Sequence, residues 1–86
     1  MIEKNEKIKT MYLIAALYQF TPLQDPVSLK CQLETQCKAL GITGALILAQ
    51  EGINGTIAGP PENMNLIIAS IKHHFFNLLL WKILLK

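Results

Sequence analysis

Two side chains able to meet a ligand stand three residues apart in a stretch otherwise built for burial. They are the carboxylate Glu51 and the amide Asn54, within Leu46-Ile47-Leu48-Ala49-Gln50-Glu51-Gly52-Ile53-Asn54-Gly55-Thr56-Ile57-Ala58-Gly59. A carboxylate accepts hydrogen bonds or takes a proton, and an amide both donates and accepts. Proton transfer at neutral pH needs a second group to shift the first, and no carboxylate or histidine lies close to Glu51 in sequence. The pair therefore suits recognition rather than catalysis. Glu51, Gly52, Asn54 and Gly55 are the candidate binding residues, the glycines for backbone shape and the polar pair for contact, and no residue is assigned as catalytic. The rival role for Asn54 is an Asx-type turn or a left-handed backbone position, and for Glu51 a hydrogen bond to neighbouring backbone.

The other reactive residue types give less. Cys31 and Cys37 fall in a segment that reads as helical, where six residues separate them by about 9 Å of rise and about 240° of rotation, outside disulfide geometry. Both are expected to be reduced. Cys37 lies on the apolar stripe of that helix and reads as a small core residue rather than a nucleophile. His73 and His74 are adjacent and so point to different helix faces, which argues against a metal site. No cofactor is implied.

The elements that must hold Glu51 and Asn54 follow from the hydrophobic pattern. Apolar runs at 45–49 and 53–58 predict two strands, with Gly52, Asn54 and Gly55 tolerating positive φ and letting the chain reverse or bulge between them. Upstream, Tyr12-Leu13-Ile14-Ala15-Ala16-Leu17-Tyr18 is short and continuously apolar, as a central strand would be. Asp25-Pro26 is a helix start, Asp as N-cap and Pro at the first helical position. Leu29, Leu33, Cys37 and Leu40 then form one stripe, and Gly41 ends the helix. Gly59-Pro60-Pro61 launches a second helix with the stripe Met64, Ile67, Ile68, Ile71 and Phe75. Glu62 in its first turn and Lys72, His73 and His74 toward its end complement the helix dipole. Residues 76–86 alternate, with Leu79, Trp81, Ile83 and Leu85 on one side and Leu78, Leu80, Lys82, Leu84 and Lys86 on the other, and are read as a fourth strand rather than a helix.

The order β-α-β-β-α-β predicts a ferredoxin-like α+β sandwich, a four-stranded antiparallel sheet with two helices on one face and the first and third strands at its centre. Residues 1–10, rich in lysine and glutamate, are expected to be a flexible arm, and 11–86 a single domain. Tyr12, Tyr18 and Phe20 are assigned to core packing rather than to base stacking, and Lys30, Lys38 and Lys72 to solvated helix faces.

Composition bounds the function. The chain has 86 residues, 51% hydrophobic and 16% charged, so it folds and leaves apolar surface for a partner. A net charge of +2 is too small to drive nucleic-acid binding alone, and all eight basic residues are lysine. Without arginine, any RNA contact falls to lysines and backbone N–H groups. The polar start carries no secretory signal, and no run of about 18 uncharged residues offers a membrane span, so a cytoplasmic location is expected.

Two families bear on this plan. Acylphosphatases resemble the chain in strand and helix order only. Their phosphate cradle uses an arginine after a glycine-rich loop, whereas 19–26 contains no glycine and the chain no arginine, so that activity is excluded. Ala49-Gln50-Glu51-Gly52-Ile53-Asn54-Gly55-Thr56-Ile57, with Tyr18-Gln19-Phe20 and Asp25-Pro26 upstream, resembles the N-terminal domain of the rhodanese-related tRNA uridine hydroxylases over about residues 12–81. These oxygen-dependent enzymes make 5-hydroxyuridine at the tRNA wobble position. The resemblance implies a domain that precedes a rhodanese domain carrying the catalytic cysteine, which neither Cys31 nor Cys37 matches. It implies an accessory domain, non-catalytic alone, that positions tRNA or the rhodanese domain. The alternative is a stand-alone interaction module whose apolar C-terminal strand pairs with a partner or with itself.

Overall fold

The computed structural model describes residues 11–75 and 78–85. The N-terminal arm and residues 76, 77 and 86 lie outside them. The order is β1 (Tyr12–Phe20), α1 (Pro26–Ala39), β2 (Thr43–Ala49), β3 (Gly52–Gly59), α2 (Pro61–His74) and β4 (Leu79–Leu85). The strands form one antiparallel sheet in the order β2-β3-β1-β4, so β1 and β3 are central, as the crossover rule requires. This is the ferredoxin-like α+β plan.

Local chemistry sets the helix ends. The Asp25 carboxylate accepts from the Ser28 N–H at 3.1 Å, with Pro26 where no backbone donor is needed. At the other end Gly41 takes φ +67°. The Ile42 N–H donates to the Cys37 carbonyl at 2.9 Å and the Gly41 N–H to that of Lys38 at 3.2 Å, the paired bonds of a Schellman cap. That cap drives Ile42 into the core as the chain turns into β2. Pro60 and Pro61 open α2 without a side-chain cap, and the Met64 N–H reaches the Pro60 carbonyl at 2.8 Å.

The two helices share the work unequally. Met64, Ile67, Ile68 and Ile71 of α2, with Phe75 after it, are all buried, as the stripe predicts. On α1 only Leu33 is buried, while Leu29, Cys37 and Leu40 are half-buried and pack at the rim of the core. Ala15 and Leu17 from β1 and Ile53 and Ile57 from β3 complete the centre. Two hydrogen bonds tie the helices together: Asn63 donates from Nδ2 to the Leu40 carbonyl at 2.8 Å, and Ser70 from Oγ to Gln36 Oε1 at 2.9 Å.

The assignment of Tyr12, Tyr18 and Phe20 to the core does not hold: all three are exposed. Side chains alternate along a strand, and Ala15 and Leu17 already point to the helices, so the even-numbered positions of β1 face the other way. Among the described residues no helix covers that side.

Core truncation should separate the two layers. Ile71→Ala is expected to destabilise the domain by about 2–5 kcal/mol, and Leu66→Ala, on the exposed side of α2, by about 0.5 kcal/mol or less, in urea unfolding followed by circular dichroism.

Candidate functional site

Ala49 pairs with Gly52, so the β2–β3 hairpin turns on only two residues, Gln50 and Glu51. Gly52 takes φ +144°, a backbone state that L side chains rarely adopt, and a Cβ there would run into the Gln19 carbonyl of β1. The following loop then clamps the turn from outside. The Thr21 N–H donates to the Glu51 carbonyl at 2.7 Å and the Leu23 N–H to the Gln50 carbonyl at 2.9 Å. Glu51 is thus fixed by its own backbone while its side chain is exposed.

Asn54 and Gly55 lie inside β3, within the strand expected over 53–58, and take no part in the reversal that their turn chemistry also allows. Asn54 pairs with Ile47 on one side and Tyr18 on the other, and ladder bonds from both neighbours keep it extended. Among the described residues no non-glycine has positive φ, which removes the left-handed role for Asn54. Its side chain is exposed on the uncovered face of the sheet. Gly55 serves a close approach, since a Cβ would meet the Ala45 carbonyl of β2. Gly52 and Gly55 therefore shape the backbone, and Glu51 and Asn54 carry the accessible polar atoms.

Glu51, Gly52 and Asn54 line a shallow concavity of about 210 Å³, together with Tyr18, Phe20, Ile47 and Ala49. Tyr18 and Phe20 were not singled out for this place from the pattern alone. Both lie an odd number of residues from Leu17 and so oppose the core, but that parity is informative only once Leu17 is seen to face the helices. The concavity offers one carboxylate, one amide and an aromatic wall, which can hydrogen-bond and stack on a flat polar group. Among the described residues its lining holds no second carboxylate, histidine or cysteine, and Tyr18 is its other ionisable side chain.

A larger groove of about 410 Å³ lies between α1 and β2, lined by Leu33, Cys37, Ile42 and Leu46 with Lys30, Glu34 and Lys38 at its rim. Cys37 is half-buried in it. Burial, and then the nearby Glu34 carboxylate, push its thiol up, which disfavours the thiolate. Both cysteines are free. His73 and His74 stack edge to face with ring centroids 5.4 Å apart. Among the described residues no group of three acidic, histidine or cysteine side chains could hold a metal ion, and no helix is long and apolar enough to cross a membrane.

Four antiparallel strands under two helices, with neither a glycine-rich loop nor an arginine after β1, define a domain of acylphosphatase-like layout without that enzyme's phosphate cradle. The chain belongs to the family described as the UPF0176 acylphosphatase like domain, whose model matches residues 12–83. It is similar to the tRNA uridine(34) hydroxylase of Roseobacter denitrificans, 48% identical over 62 residues that make up 72% of this chain and 21% of the relative. It is likewise similar to that of Gluconobacter oxydans, 52% identical over 59 residues, 69% of this chain and 19% of the relative. The chain thus spans about a fifth of the length of these relatives. In backbone it is similar to the de novo designed protein Foldit4, with a TM-score of 0.54 at 10% identity over 88% of this chain and 94% of that one, a likeness of fold alone.

Two outcomes follow from this geometry. Gly52→Ala meets both a disallowed φ and the β1 backbone, whereas Gly41→Ala meets only the left-handed φ, with nothing within 4 Å of the added carbon. Gly41→Ala is expected to cost about 1–2 kcal/mol in chemical unfolding, and Gly52→Ala distinctly more. Iodoacetamide at pH 7.5 should modify the exposed Cys31 several-fold faster than Cys37, read by mass spectrometry of the peptides. Glu34→Gln removes the negative charge opposing the Cys37 thiolate and should accelerate Cys37.

Proposed function

We propose that this domain serves tRNA wobble-uridine hydroxylation as an accessory unit, non-catalytic alone, that positions tRNA or a rhodanese catalytic domain from the β2–β3 hairpin. The observation that carries the reading is the match of 72 residues, 12–83, to the family model, joined by 48% and 52% identity to tRNA uridine(34) hydroxylases over 62 and 59 residues. The non-catalytic role is supported by the site itself: among the described residues no second carboxylate, histidine or cysteine lines the concavity with Glu51, and Cys37, half-buried beside Glu34, is a poor nucleophile. Contact through Glu51 and Asn54 is supported by their exposure on a backbone locked by Gly52 and the loop after β1. A cytoplasmic site of action accords with a tRNA substrate.

A second reading, a stand-alone interaction module, is favoured by β4. It is an edge strand, and Leu79, Trp81 and Ile83 on it are exposed.

Mass spectrometry of position-34 nucleosides discriminates between the two. In a strain with no other route to 5-hydroxyuridine, deleting the gene should remove that nucleoside, and the wild-type gene should restore it. A Glu51→Ala, Asn54→Ala double variant, shown to fold by circular dichroism, should restore it less than half as well. Unchanged 5-hydroxyuridine after deletion would sink the hydroxylase reading.

A further inference from the structure

We infer that the open face of the sheet is the contact surface for a second copy of this chain, packed face to face about a two-fold axis that runs along the strands. The inference rests on the geometry of the face and not on the hydroxylase reading, with which it competes for Asn54, since a second copy would cover Asn54 and leave Glu51 at the rim.

Seven large hydrophobic residues stand on this one face: Tyr12, Tyr18 and Phe20 of β1, Ile47 of β2, and Leu79, Trp81 and Ile83 of β4. They are 42 to 73% exposed. With about 200 Å² for each such residue when fully exposed, they leave on the order of 800 Å² open, the share that each partner gives to a standard interface of about 1,600 Å². The patch exceeds the few hundred Å² that monomeric proteins ordinarily leave bare.

Chemistry selects the kind of partner. The four strands place no charged residue on this face among the described positions. Lys82 shares a register row with the inward-facing Ala15, and Lys30, Lys38 and Lys72 are on the helices. A nucleic acid would meet no cation here to offset its phosphates. Aromatic enrichment with charge depletion is instead the composition of the centre of a protein interface. Two such faces brought together oppose no charged strand residues, and the Glu51 of each copy stays in the hairpin turn at the rim.

Relief selects the second copy. Six of the seven tall side chains are on the adjacent strands β1 and β4, whereas the same face of β3 and β2 is low: Gly52, Asn54, Thr56 and Ala58, then Thr43, Ala45 and Ala49. Register rows run Ile47, Asn54, Tyr18, Leu79 and next Ala45, Thr56, Ala16, Trp81 across the sheet. Turning one copy about an axis along the strands, between β3 and β1, lays its tall half on the low half of the other. β1 then covers β3 and β4 covers β2, with sheets about 10 Å apart as in a β-sandwich. The surface is its own complement, as an isologous interface requires.

Light scattering coupled to size exclusion, from about 5 to 300 μM, tests this on the full chain. The wild type should pass from monomer to dimer as concentration rises. Ile47→Lys on β2 and Trp81→Lys on β4 sit at opposite sides of the face, both on exposed positions, and each should weaken dimerisation at least tenfold while circular dichroism stays native. A monomer throughout overturns the inference. So does a dimer lost in only one variant, which marks edge-to-edge pairing through that strand, or a dimer that survives both.

Discussion

The whole domain depends on one act of burial: the apolar stripe of α2 against the two central strands. Met64, Ile67, Ile68 and Ile71 meet Ala15 and Leu17 of β1 and Ile53 and Ile57 of β3, all buried in a single cluster. These are contacts between segments far apart in the chain, so they order the sheet and fix its register at once. α1 adds Leu33 and a half-buried rim, and without α2 it could not cover a four-stranded sheet. One-sided burial has a structural corollary. Every strand that gives its odd or even positions to this cluster must give the others to solvent.

The hairpin is rigid for a reason rooted in the same sheet. β3 is central, so its residues are held from both sides, and the approach of its backbone to β1 and β2 leaves no room for a Cβ at Gly52 or Gly55. The carbonyls of the two turn residues are taken up by the Thr21 and Leu23 amides. A carboxylate on such a turn has lost its backbone freedom before any ligand arrives, and ordering it on binding costs correspondingly little.

Much of this was legible in the residues, and the failures share one cause. The Asp25-Pro26 cap, the Gly41 stop, the α2 stripe and the alternation of Leu79, Trp81 and Ile83 against Leu78 and Leu80 are local signals, and each element formed where its signal stood. The strand bounds bracket the turn correctly, but the use of Gly52, Asn54 and Gly55 stayed open because all three are equally good turn formers and close-approach residues. Only pairing across the sheet decides between those uses. Tyr12, Tyr18 and Phe20 were misplaced because a continuously apolar run does not say which face is covered. That information resides in the number of helices and where they land, a property of the whole chain. The concavity beside Asn54 was illegible for the same reason, since Tyr18, Ile47 and Asn54 meet only through register.

The domain is consequently two-sided in charge as well as in burial. Among the described residues every lysine belongs to the helical side: Lys30 and Lys38 on α1, Lys72 on α2, and Lys82 in the row of the inward-facing Ala15. Lys30 is 3.9 Å from Glu34, an exposed pair of little energetic weight that still offsets its field. Electrostatic attraction to phosphate, where these residues supply it, therefore acts from the helices, whereas apolar contact acts from the sheet. Glu51 and Asn54 lie at the hairpin end of the uncharged side, where a single carboxylate repels phosphate but accepts hydrogen bonds from amino or amide groups. Their chemistry is that of a group recognised by its polar edge and flat face, beside Tyr18 and Phe20, rather than by its charge.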